Sequence, residues 1–240
     1  KGAAVCLQSV SAAAMPLTGW LASKLGWRKL MLGSVIGFTF ASAACGFADT
    51  LETLLVFRVI QGAFGAPIFP LGQSIILARF HREQHPMALM MWGVGGVMGP
   101  ILGPTFGGMV ADALDWRWAF FMMVPLGLAS CIPIILSLKN EEQGIGRRFD
   151  FIGFLLIAVA VGSMQLVFDR GQRLDWFDST EIIIEASLAA ACIYFFLVHA
   201  SFARAPLFEA ATFKDRNLVL GVCFALIMGM LQYTPMVLFP

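Results

Sequence analysis

The sequence predicts an all-α fold, a polytopic bundle of membrane-spanning helices, on three observations. Of 240 residues, 59% are hydrophobic and 13% charged, and the mean hydropathy is +0.81. The charges fall in short clusters between apolar runs of roughly 20 residues, the length a helix needs to cross a bilayer. Periodicity is helical throughout, without the alternation of a membrane β-barrel.

Eight apolar segments occur in order, at about Ala3–Ala22, Leu30–Ala48, Leu54–Ala78, Met87–Ala111, Trp118–Leu138, Phe151–Phe168, Ile182–Ala203 and Leu218–Pro240. Most connections are short, so consecutive helices are expected to be antiparallel neighbours. The exception, Lys139 to Asp150, carries Gly144 and Gly146 among charges and reads as a flexible linker between a first bundle and the later helices. Loops after the first, third, fifth and seventh segments hold Lys24, Arg28, Lys29, Arg79, Arg82, Lys139, Arg147, Arg148, Arg204, Lys214 and Arg216. The opposite side has Lys1, Arg117, Arg170 and Arg173 with most of the acidic residues. This asymmetry puts the first set in the cytoplasm. No initiator Met or signal peptide precedes Lys1, and the chain is expected to be an internal piece of a longer protein, with an odd number of spans before it.

Composition also excludes classes. A net charge of +1 and the lack of a basic stretch with interleaved aromatics argue against a nucleic-acid partner. The cysteines Cys6, Cys45, Cys131, Cys192 and Cys223 form no CxxC pair and read as small buried hydrophobes, so no metal site is expected. An HExxH, a GxSxG, a Gly-rich phosphate loop and paired intramembrane carboxylates are all absent, and no enzyme is predicted.

Three stretches stand out. In Met87–Asp112, Gly95, Gly99, Gly103 and Gly107 recur every four residues, with Pro100 and Pro104 after the middle two. Such a stripe favours close helix crossings, and the prolines predict a bend. Arg58 lies inside the third segment, with Gln61 on nearly the same face and Gly62 next to it. Arginine in lipid costs roughly 2.5–3.5 kcal/mol on insertion scales. It therefore either snorkels to the outer headgroups or sits buried, holding a carboxylate or tuning its proton affinity. In the first cytoplasmic loop, Gly19 and Gly26 permit a tight turn and Lys24, Arg28 and Lys29 supply the charge.

These stretches resemble motifs of one family. Gly19–Leu30 is similar to the loop motif of the major facilitator superfamily, Arg58-x-x-Gln61-Gly62 to its fourth-span motif, and Gly99-x-x-x-Gly103-Pro104-x-x-Gly107-Gly108 to the antiporters' fifth-span motif. With Asp115–Trp116 and Asp169–Phe177, the whole chain resembles the fourteen-span EmrB/QacA drug:proton antiporters, the EmrB branch most closely. The resemblance implies that residues 1–138 are an N-terminal bundle lacking its first span, 139–150 the cytoplasmic linker, 151–203 two inserted helices and 204–240 the start of a C-terminal bundle. It also implies that Arg58, Gln61 and Gly62 take part in proton coupling. Further implications are location in the bacterial inner membrane, export of hydrophobic or cationic compounds driven by the proton gradient without a cofactor, and a periplasmic adaptor and outer-membrane channel as partners. The loop motif departs from the family at Ser23, where aspartate is usual.

Other polar residues have two readings. Gln8, Gln73, Gln165 and Gln232 either line a cavity or bond between helices. Met90, Met91, Met98, Met122, Met123 and Phe69 either form a deformable pocket or face lipid. His199 is expected near the inner interface, and Glu181 and Glu185 at an outer helix start. The rival to drug efflux is export of a specific metabolite by the same fold.

Overall fold

In a computed structural model, residues 10–138, 149–203 and 215–238 are described. Cys6, Gln8, most of the linker after Leu138, Arg204 and Lys214 lie outside them, as do the side chains of Pro100 and Gln232. After a helical stretch over residues 10–14, the elements are α1 (Leu17–Leu25), α2 (Trp27–Gly46), α3 (Leu51–Gly65), α4 (Ile68–Arg79), α5 (His85–Ala113), α6 (Trp118–Phe121), α7 (Met123–Ser137), α8 (Phe151–Arg170), α9 (Thr180–Phe202) and α10 (Arg216–Leu238). Among the described residues there is no strand. Six helical stretches among the described residues are long and apolar enough to cross a membrane, and the chain is a multi-pass membrane protein. The first and last predicted segments are only partly described.

The main departure from expectation is that single predicted spans are divided. Prolines account for two of the divisions. Pro16 follows a turn at Met15, and Pro67 separates α3 from α4; neither can donate to the preceding turn. A turn at Met122 divides α6 from α7. By contrast, α5 runs without interruption through both Pro100 and Pro104. Lipid offers the backbone no alternative partner, which favours keeping the helix.

Helix α2 is the hub, packing against α3, α6 and α7. Close approach there depends on glycines that spacing alone did not single out. A β-carbon at Gly37 would fall 2.3 Å from the Phe64 ring, and one at Gly46 2.7 Å from Phe121. At Gly127 of α7 it would lie 2.0 Å from Thr39 Oγ1. At the inner end Ala22, Leu30 and Leu71 close a small core between α1, α2 and α4.

Loops expected on one side of the membrane meet each other. Arg117, before α6, donates to the Ala48 carbonyl and to Asp49 Oδ1, both at 3.3 Å, which pins together two loops expected outside. At the other end Trp20 of α1 meets Phe149 of the linker, with ring centroids 4.7 Å apart. Helices α8 and α9 form a hairpin. Asp150 Oδ1 accepts from the Gly153 N–H and lies 2.8 Å from His199 Nε2 at its inner end. Arg170 pairs with Glu181 and, at 4.0 Å, Glu185 at its outer end.

Candidate functional site: a buried guanidinium network

Helix α3 begins with a reciprocal cap in which Thr50 Oγ1 accepts from the Thr53 N–H and Thr53 Oγ1 from the Thr50 N–H. Seven residues after Leu51 comes Arg58, at 1.5 Å per residue about 10 Å along the axis. Three residues further on, Gln61 shares its face. Across from them α2 presents Ser42 and Cys45, also three apart. Both are fully buried, and Gln61 is 3% exposed.

The polar groups form one directed chain. Arg58 NH1 donates to Gln61 Oε1 at 3.2 Å. Gln61 Nε2 donates to Ser42 Oγ at 2.6 Å, and Ser42 Oγ donates to the Phe38 carbonyl at 2.8 Å. The Cys45 thiol lies 4.0 Å from Gln61 Oε1. On its other side the guanidinium stands over the Phe120 ring of α6, 4.5 Å from the centroid. Arg58 Nε is buried, and neither it nor the rest of the guanidinium meets a carboxylate among the described residues. The side chain is thus engaged by an amide and a ring, not turned out as the snorkelling alternative would have it. Gly62 completes the motif, its carbonyl accepting from Ser11 Oγ of the first helical stretch at 3.1 Å.

The loop motif is built around Gly26. With φ 81° and ψ 152° it occupies a conformation that side chains disfavour, and it alone joins α1 to α2. The Lys24 ammonium lies 4.9 Å from the centroid of the Trp20 ring. Ser23 turns its hydroxyl back to the Trp20 carbonyl at 2.8 Å. Gly19 and Lys29 are exposed and Arg28 is half-buried.

The glycine stripe faces no neighbour among the described residues. A β-carbon at Gly95, Gly99, Gly103, Gly107 or Gly108 would meet nothing within 4 Å. The face is open, and the close crossing expected of it is not made with any of the described residues. Close small-residue contacts form elsewhere, most tightly between helices at Gly37, Gly46 and Gly127 and also at Gly65 and Gly72. Met90, Met91, Met98, Met123 and Phe69 are exposed, as lipid-facing residues would be. Where α4 meets α5, Met91 also lines an apolar cavity of about 570 Å³ with Ile76, Phe80, Gln84, Met87, Ala88 and Trp92. Gln165 Nε2 donates to Asp169 Oδ2 of its own helix at 3.1 Å.

Sequence reasoning missed Ser42 and Phe120. A signal for Ser42 was present in the run Ala41-Ser42-Ala43-Ala44-Cys45-Gly46, small residues that make one side of α2 approachable. Phe120 carried none, since an aromatic at the start of an apolar segment is commonplace.

Hydrophobic helices in sequential hairpins, with a polar cluster sealed among the first of them, define a multi-pass membrane protein of the transporter class. The Major Facilitator Superfamily profile matches residues 3–240, and the chain belongs to that superfamily. It is 38% identical over 231 residues to "Multidrug export protein EmrB" of Escherichia coli (strain K12), covering 96% of this chain and 45% of the relative. It is 37% identical over 234 residues to "Fatty acid resistance protein FarB" of Neisseria gonorrhoeae, covering 95% and 46%. To "Probable multidrug resistance protein EmrY" of Escherichia coli (strain K12) it is 33% identical over 215 residues, covering 88% and 42%. The chain therefore spans a little under half the length of the curated relatives it matches.

Proposed function

We propose that the protein is a proton-coupled efflux antiporter of the bacterial inner membrane, exporting hydrophobic and often cationic compounds by alternating access. The observation that carries this reading is the Arg58 network. A cation placed about 10 Å into a span is costly unless it is used. Here it is held by neutral partners, an amide and an aromatic face, with one nitrogen left unpaired. That leaves the guanidinium able to engage a carboxylate whose proton occupancy changes during the cycle, which is what coupling requires. The relatives' names support the substrate class, because multidrug export and fatty acid resistance both concern apolar or amphiphilic molecules.

In this reading, two bundles rock about a central cavity, driven by the proton gradient without a cofactor. The open stripe from Gly95 to Gly108 seats a helix from the remainder of the transporter, and the flat face lets the two slide or tilt without a gap. Lys24, Arg28 and Lys29 hold the inner loop at the membrane surface. By likeness to EmrB, a periplasmic adaptor and an outer-membrane channel extend the path outward.

The test is transport in inverted membrane vesicles bearing the intact protein. An imposed proton gradient should drive ethidium movement, and Arg58→Ala should abolish it while leaving insertion intact. Ethidium that never moves, with a single metabolite moving instead, would replace this reading with that of a dedicated exporter.

A further inference from the structure

We propose that Ser42 is a positioning residue for the Arg58 site, because its hydroxyl decides which end of the Gln61 amide faces the guanidinium. This rests on the proton-coupled reading above. A serine hydroxyl has one proton to give, and Ser42 gives it to the Phe38 carbonyl one turn earlier, at 2.8 Å. Toward Gln61 it can therefore offer only a lone pair. The group 2.6 Å away must be the amide nitrogen, and the amide oxygen must point the other way, to Arg58 NH1 at 3.2 Å.

Reversing the amide would set NH₂ donors against a guanidinium that has only donors, and a carbonyl against the serine's lone pairs. Both contacts are repulsive, and neither can be relieved by water where Ser42 is fully buried and Gln61 is 3% exposed. The orientation at Arg58 is thus inherited from a backbone carbonyl in α2 through two side chains. Because Phe38 and Ser42 belong to α2 while Gln61 and Arg58 belong to α3, a shift of one helix against the other would loosen the link. Ser42 does not touch Arg58, so it acts through Gln61.

The experiment uses the intact transporter in proteoliposomes, with Ser42→Ala, Gln61→Met and the double variant. Gradient-driven ethidium transport is measured against pH and normalised to inserted protein. Ser42→Ala should move the midpoint of the profile by about half to one pH unit, the effect of one hydrogen bond on a titrating site. The shift should have the same sign as that of Gln61→Met and should add nothing on the Gln61→Met background. A Ser42→Ala profile superposable on the parent, or a full shift retained without Gln61, overturns the proposal. Should Ser42→Ala insert poorly, Ser42→Cys keeps the volume with a weaker hydrogen-bonding group and carries the same test. If the parent itself shows no gradient-driven transport, the antiport reading is what fails. Thermal unfolding of the purified variants then decides the link. A Tm loss from Ser42→Ala that vanishes on the Gln61→Met background upholds it, and additive losses overturn it.

Discussion

Arg58 places its guanidinium 4.5 Å from the centre of the Phe120 ring, joining the third helix of the chain to the sixth. The contact has an electrostatic consequence. The ring face draws on the cation without neutralising it, whereas a carboxylate would. A desolvated cation–π contact contributes up to about 2 kcal/mol, less than a buried ion pair exerts on one of its members. Arg58 is therefore held in place and still available.

Replacing the ring tests that. Phe120→Leu keeps an apolar side chain of related size but removes the quadrupole. It should weaken gradient-driven ethidium export several-fold while inserted protein stays near the parent level. Phe120→Trp, with the stronger ring, should keep export close to normal. Equal export by the leucine and tryptophan variants would reduce Phe120 to a space-filler.

Enlarging two glycines on different helices should harm different properties, stability at one and transport at the other. Gly127 faces the Thr39 side chain so closely that a β-carbon has no room, and Thr39 is itself buried and bonded to the Val35 carbonyl at 2.7 Å. Gly127→Val should separate α2 from α7 and cost about 1–3 kcal/mol or more, as overpacking does. The readout is a lower melting temperature in detergent. Gly103 faces open space among the described residues. Gly103→Leu should leave α5 and the hairpins around it formed, yet impair transport by the intact protein, where the proposed seat for another helix would be blocked. Unimpaired transport would leave the stripe with no role in the cycle.

The contrast between those glycines marks what the sequence could and could not tell. Span positions were legible because apolar length and charge clustering are one-dimensional properties. Predicted Leu30–Ala48 and Phe151–Phe168 became α2 and α8, with ends moved by a few residues. Arg58 and Gln61 were legible as a pair because i and i+3 share a helical face wherever the helix is placed. Ser42 and Phe120 were not, since their part depends on which helix lies opposite, and spacing along one chain carries no such information. What packs on the stripe was illegible for the same reason. Regular glycine spacing shows that a face is flat, not that something lies on it.

The turn at Gly26 gives a third prediction. Its φ of 81° with ψ of 152° is a region essentially reserved for glycine. A single residue there reverses α1 into α2, and its carbonyl accepts from the Leu30 N–H at 3.1 Å to start the second helix. Gly26→Val should cost about 1–3 kcal/mol in backbone strain. Gly19, which has nothing within 4 Å of its would-be β-carbon and an ordinary helical position, should accept alanine with no loss. Melting temperatures of Gly26→Val and Gly19→Ala in detergent check the pair. A normal Gly26→Val would mean that the loop can re-form with another residue in the turn.

The hairpin of α8 and α9 is closed at its inner end by one carboxylate, and two substitutions separate its contributions. Asp150 Oδ1 caps α8 by accepting from the Gly153 N–H and at the same time meets His199 Nε2 of α9, each at 2.8 Å. Gly153 must be small for this, because a β-carbon would fall 2.3 Å from Asp150 Oδ2. Asparagine offers a carbonyl oxygen that can cap and accept as aspartate does, but carries no charge. Alanine offers nothing, at about 1 kcal/mol for the cap and about 1–3 kcal/mol more for a half-buried imidazole left without its acceptor. Asp150→Asn should therefore melt near the parent, and Asp150→Ala clearly below it. If the two variants melt together, well under the parent, the carboxylate works through its charge rather than its geometry.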